Sequence, residues 1–204
     1  LGTAGSLFIS TLFAYGISKK EIPGMKFISF LLIFTMLFNG GLVATYYSYV
    51  SIWHVKNTLW ALIVPGLLMN AFSVILIKNY FTNSIPVSLE EAARIDGARE
   101  FTVFSRIVLP LSKPILATIG LMSALAYWND WMNGMYYLSS RGGSHLYTIQ
   151  VVLNNINNDI MALMQSKTSS AAMMSNIAEI PTTTIRMSIA VIGILPILVL
   201  YPFF

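Results

Sequence analysis

Five apolar segments, each near the length of a bilayer crossing, alternate with connections that hold most of the charge, and this pattern limits the possible fold more than any other feature. The segments cover residues 1–17, 26–50, 58–77, 114–138 and 185–204. About 20 helical residues cross the roughly 30 Å of hydrocarbon in a membrane, so these segments predict helices that span it. At 56% hydrophobic and 10% charged residues, with a mean hydropathy of +0.70, the chain lacks the polar surface a water-soluble domain of its length needs. The expected fold class is therefore an all-α integral membrane protein, with residues 1–204 forming a single transmembrane domain.

Charge orients the bundle. Lys19, Lys20 and Lys26 lie in or beside the first connection, and Lys78, Arg94, Arg99, Arg106 and Lys113 in or beside the third, whereas the second holds only Lys56. Loops rich in Lys and Arg stay in the cytoplasm, so connections one and three face inward and the long fourth connection, residues 139–184, falls outside. Within the fourth connection, Arg141 to Ser144 reads as a turn, Thr148 to Met164 as a helix with Ile149, Val152, Leu153 and Ile156 on one side, and Gln165 to Ser170 as loose linker. Basic residues scattered between apolar runs do not make a nucleic-acid surface. There is no cysteine, and His54 and His145 are too isolated to suggest a metal site. Leu1 and Phe204 both fall inside apolar runs, so the chain reads as a fragment truncated at both ends.

The third connection carries the most specific pattern. Ser88 and Glu91 have the S-x-x-E spacing of a capping box, which predicts a helix starting at Leu89, and Gly97 interrupts it. Phe101, Phe104, Ile107 and Val108 then recur at helical spacing, and Pro110 and Pro114 break the chain before the next span. The expectation is a short helix-turn-helix over residues 86–110, lying on the cytoplasmic face.

Glu91-Ala92-Ala93, then Gly97, then Ile107-x-Leu109-Pro110 resembles, at every fixed position, the EAA signature of permease subunits in binding-protein-dependent ABC importers. The flanking Ala93-Arg94-Ile95-Asp96-Gly97-Ala98, with Phe104 and Pro114, is similar to the carbohydrate-uptake branch, including the second permease of the maltose system and permeases for oligosaccharides or polysaccharide fragments. The resemblance implies a type I importer transmembrane domain in the bacterial inner (plasma) membrane, multi-pass, with five helices in this fragment and a sixth before it. It also implies that the short helix is a coupling helix that docks on a cytoplasmic ATPase. Carried over by position, Glu91 meets a basic residue of the ATPase, Ala92 and Ala93 allow close approach, Gly97 permits the turn, and Asp96, Ile107, Leu109 and Pro110 complete the matched stretch. From the residues alone, Glu91 could instead do no more than cap its own helix, a role worth about 0.5–2 kcal/mol.

No G-x-x-x-x-G-K-[ST] phosphate loop is present. The chain is thus expected to bind no cofactor itself, with ATP and Mg held by two partner ATPase subunits. A second homologous permease, an extracytoplasmic solute-binding protein and membrane lipid complete the implied partners, and the chain is expected to be a transport subunit rather than an enzyme.

A sugar path needs aromatic faces and hydrogen-bonding side chains at membrane depth. Tyr127, Trp128, Asn129, Asp130, Trp131 and Asn133 form the best candidate cluster, late in the fourth apolar segment, while an interfacial aromatic belt, which needs no ligand, is the stronger account of Trp128, Trp131, Tyr136 and Tyr137. Asn39 and Asn70, both inside predicted spans, are candidates for the path but are better read as interhelical hydrogen-bond partners. The outer connection resembles in position a loop that in the maltose permease reaches into the binding protein. Other readings are an importer permease for a non-sugar solute, a secondary transporter, or a membrane enzyme. The last two would call for ion-coupling or clustered catalytic groups, and Asp130 is the one acidic residue inside a predicted span.

Overall fold

The computed structural model describes residues 1–19, 22–169 and 182–200, which fall into two compact units. The first contains residues 1–54 and 63–127; the second contains residues 55–62 and those from 128 onward. Lys20 and residues 170–181 of the outer connection lie outside the described residues.

The first unit is built on α1 (Gly2–Ser18), which packs most extensively on α5 (Ala71–Ser84). Ser6, Ser10, Ala14 and Ile17 of α1 are buried at helical spacing. Small side chains at that spacing let two backbones approach closely, the usual way helices associate where water gives no driving force. Their counterparts on α5 are Val74, Ile77 and Phe81. Two further pieces close the same core: Leu32 from α2 (Met25–Leu37), and Val103, Phe104 and Val108 from α7 (Glu100–Leu111), whose middle turns are π-helical. Ile119 of α8 (Lys113–Asn129) completes it. Apart from Leu32, α2 turns a nearly continuous apolar surface outward, with Phe27, Phe30, Ile33, Phe34, Leu37 and Phe38 all exposed. Such a surface needs lipid or another apolar partner over it.

Three of the five predicted spans, 26–50, 58–77 and 114–138, are not continuous helices. Among the described residues no single helix is long and apolar enough to cross a membrane, although two bent pairs are. The 26–50 segment breaks into α2 and α3 (Gly41–Ile52), which meet at 115°. Gly41 there takes φ 80°, and the Asn39 side chain accepts its N–H at 3.0 Å, so the break is stabilised locally. Segment 58–77 contains only the single turn α4 (Trp60–Ile63) before Pro65-Gly66 interrupts it, and α5 begins afresh at Ala71. Ser112 separates α7 from α8, which meet at 77°. Segment 114–138 splits at Asp130-Trp131 into α8 and α9 (Met132–Tyr137).

In the second unit, α9 packs on α10 (Ile149–Ser169), which in turn contacts α11 (Thr182–Leu200). A Cβ added at Gly134 would overlap Val151, so the glycine lets α9 approach α10. This contact corrects the expected face of α10: Val151 and Ile160 are buried, whereas Ile149, Val152 and Ile156 are exposed. The helix also runs on to Ser169, through most of the stretch expected as loose linker. Asn57, in the left-handed region at φ 58°, accepts the Ser139 N–H at 2.7 Å and donates its own N–H to the Tyr137 carbonyl, which fixes the chain entering the expected Arg141 to Ser144 turn.

Candidate functional site

The 86–110 segment forms the expected hairpin, but it starts differently. Its first arm, α6 (Val87–Ile95), begins two residues before Leu89, with Pro86 at the N-cap and no side-chain cap. Pro86 holds the extended N-cap backbone at φ −62° and ψ 126°, and Ser88 already lies inside the helix, so the capping box between Ser88 and Glu91 does not form. The other end follows the sequence closely. Gly97 takes φ 80°, its N–H donates to the Arg94 carbonyl at 3.0 Å, and the Ala98 N–H donates to the Ala93 carbonyl at 2.9 Å. These paired bonds are a Schellman stop, which requires a left-handed residue at Gly97 and favours an apolar contact between Ala93 and Ala98; both alanines pack on the core.

The hairpin has two chemically distinct faces. Glu91, Ala92 and Ile95 share one side of α6 by their spacing and are exposed, as are Asp96 and Gly97. Ile95 is 86% exposed and Phe101, on the second arm, 74%. Ala93, Ile107 and Leu109 lie instead against the core, so that three of the seven matched positions build the hairpin rather than its outer surface. Pro110 is exposed near the end of α7.

A chain of charges binds the inner face to α1. Lys19, just past the end of α1, pairs with Glu90, 71 residues away, and the two side chains are only 12% and 14% exposed. Arg94 Nη2 lies 3.9 Å from the same Glu90 oxygen, and Arg94 Nε donates to Glu100 Oε1 at 2.8 Å. The Tyr15 hydroxyl donates to the other Glu100 oxygen at 2.8 Å, and Lys19 Nζ sits 4.4 Å from the centre of the Tyr15 ring. Burial pushes the Glu100 carboxyl up, but bonds from Tyr15 and Arg94, with the charges of Arg94 and Lys19, outweigh it and hold the group below the usual carboxylate range. Sequence reasoning missed Lys19, Glu90 and Glu100 as a set. The Glu90–Arg94 i,i+4 pair was visible, but nothing local points to Lys19.

The path candidates divide. Asn129 and Trp131 line a cleft of about 340 Å³ in the second unit, together with Gln150, Asn154 and Asn157 of α10 and Gly193 of α11. Trp128 Nε1 donates to the Gly193 carbonyl at 2.9 Å. Asp130 accepts the Asn133 N–H at 3.1 Å, within the chain break before α9. Tyr127 lies in the other unit, its hydroxyl donating to the Ile63 carbonyl at 2.9 Å, and with Asn70 it lines a smaller cleft of about 140 Å³. Neither Asn39 nor Asn70 makes the interhelical bond expected of it, because both stand at helix breaks. Asn70 caps α5, accepting the Phe72 N–H at 2.9 Å, and Asn39 bonds Gly41. Gln150, Asn154 and Asn157 were not anticipated, although their i, i+4, i+7 spacing marks one face of a helix.

An exposed hairpin built on this signature, and an apolar bundle below it, define the membrane component of an importer. The profile described as binding-protein-dependent transport system inner membrane component matches residues 22–204, and the chain belongs to that family. It is therefore a membrane transport component and not an enzyme. The chain is 40% identical to the polygalacturonan/rhamnogalacturonan transport system permease protein YtcP of Bacillus subtilis, over all of this chain and 68% of that protein. It is 31% identical to the galactooligosaccharides transport system permease protein GanQ of the same organism, over 85% of this chain and 61% of that one. Among solved structures, a bacterial ABC transporter involved in import of the acidic polysaccharide alginate matches with a TM-score of 0.78 and 31% identity, covering 98% of this chain and 68% of that chain.

Two outcomes follow from the charge chain. Lys19→Met and Glu90→Gln should each lower the melting temperature of the detergent-solubilised protein, and the double variant should lose less than their sum, with a coupling of about 0.5–3 kcal/mol. Additive losses would mean the pair does not act as a unit. Because Glu100 is held low, its contribution is intact at neutral pH and disappears as pH falls through its folded value. A scan from about pH 6 to about pH 3 should show less acid destabilisation in Glu100→Gln than in the parent.

Proposed function

We propose that the chain is the permease subunit of an ATP-driven importer, forming with a second homologous permease the path for a carbohydrate delivered by a solute-binding protein. Of two ATPase subunits, which hold ATP and Mg, one grips this hairpin from the cytoplasm. The observation that carries this reading is the two-faced hairpin: Ile95, Phe101 and Glu91 are left uncovered outside, while Glu90 and Arg94 are tied to α1 inside. An outer face of that composition suits a socket with an apolar floor and a cationic rim, and the inner ties pass displacement of α6 to the first span.

Carbohydrate cargo is supported by the relatives, whose names specify polygalacturonan and rhamnogalacturonan, galactooligosaccharides and alginate. It is supported further by the cleft of Asn129, Trp131, Gln150, Asn154 and Asn157, since amides bond hydroxyls through both donor and acceptor and an indole face stacks on a pyranose. Among the described residues the polar lining of that cleft is made of amides and an indole, which suits sugar hydroxyls.

Ile95→Glu places a charge on the docking face without touching the inner ties, and Gly97→Pro removes both the left-handed φ and the N–H that the stop requires. Both should leave the protein in the membrane but separate ATP hydrolysis from uptake in reconstituted vesicles, with sugar accumulation falling at least about tenfold, the effect of roughly 1.4 kcal/mol at the docking step. Normal coupled uptake in both variants would remove the coupling role from this hairpin.

A further inference from the structure

A pocket of about 650 Å³ lies between the ends of α1, α2 and α5 in the first unit and includes no residue of the hairpin's outer face. Three lysines line it, Lys19, Lys26 and Lys78, and among the described residues no Asp or Glu does. The charge of Lys19 is taken up by Glu90. Those of Lys26 and Lys78 are not: among the described residues neither pairs with a carboxylate, and Lys78, half-buried on α5, reaches only the Ser29 hydroxyl at 3.4 Å. An ammonium that is partly desolvated, with three donors and one long contact, is incompletely satisfied, and an anion is the group that would satisfy it. Lys26 stands in the first turn of α2, where the partial positive charge of the helix start adds to its own.

The rest of the lining separates a lipid from a small free ion. Ile22, Phe30 and Ile33 give the pocket an apolar wall beside the cations, which a hydrated phosphate would avoid but the glycerol and first methylenes of a lipid would cover. By the distribution of Lys and Arg, these helix ends lie on the cytoplasmic side, at the depth of the headgroup layer. We propose that the pocket binds the phosphate of an anionic phospholipid of the cytoplasmic leaflet, with Lys78 and Lys26 as its cationic contacts. This rests on the membrane placement of the family and not on the identity of the cargo.

The test is native mass spectrometry of the assembled full-length transporter in detergent, titrated with phosphatidylglycerol, with phosphatidylcholine of the same acyl chains, and with inorganic phosphate. Wild type should hold phosphatidylglycerol in preference to phosphatidylcholine. Lys26→Gln/Lys78→Gln should bind phosphatidylglycerol roughly thirtyfold more weakly, the effect of removing two lysines at a membrane surface, and Lys78→Arg with Lys26 intact should restore most of the binding. Lys56→Gln, a lysine outside the pocket, should match wild type. Equal binding of the two lipids, or of phosphatidylglycerol by wild type and the double variant, would overturn the proposal. So would competition by millimolar inorganic phosphate, which would make this a free-anion site, or cross-linking of Lys78 to an acidic segment of a partner subunit in place of lipid.

Discussion

The ion pair between Lys19 and Glu90 is the contact on which the rest of the arrangement depends. Both side chains are little exposed, so removing either would leave the other as a part-buried, unpaired charge. Their pairing sets the end of α1 against the inner face of α6. From there Arg94 carries the connection to Glu100 at the start of α7, and Tyr15 returns it to α1, closing a loop of contacts around the hairpin. Below that loop, Val103, Phe104 and Val108 hold α7 in the apolar core. The hairpin is therefore held at one edge by charge and at the other by burial, and its outer face is left open.

That division explains how one short signature serves two purposes. Glu91, Ala92 and Ile95 are presented outward, while Ala93, Gly97, Ile107 and Leu109 shape and seat the hairpin. The Schellman stop shows why the spacing from Ala93 to Gly97 matters: a helix closing on the Ala93 carbonyl needs its left-handed residue four positions on. A residue with a Cβ at Gly97 would take that conformation only with strain, although the space around it is open. The constraint at this position is on the backbone and not on packing.

The sequence was most legible where local chemistry decides the outcome. The stop at Gly97 and the breaks around Pro110 and Pro114 could all be read from neighbouring residues. The start of α6 was misread because Pro86, which pre-sets φ, begins the helix before Ser88 can cap it. Hydropathy overestimated the continuity of the spans: Asn39-Gly40-Gly41 and Pro65-Gly66 sit within apolar runs and barely lower their average, yet the backbone turns there, and Asn39 and Asn70 satisfy the freed N–H groups. The amide row on α10 is visible in the spacing of Gln150, Asn154 and Asn157, but spacing alone does not say which face of a helix lines a cleft. The Lys19–Glu90 contact was beyond reach, because no periodicity links residues brought together only by the packing of α1 on α5.

The central claim is that α1 and α6 behave as one body when the motor acts on the hairpin. Residues 1–204 contain no cysteine, and with any cysteine elsewhere in the assembly replaced, spin labels introduced at Leu12→Cys and Ser88→Cys report a single distance. In the assembled transporter reconstituted in bilayers, that distance should have the same mean and width in the nucleotide-free and ATP-bound states, under conditions where ATP turnover and uptake are verified in the labelled protein. A shift of several ångström between the two states would show that α6 moves independently of α1, and would contradict the account.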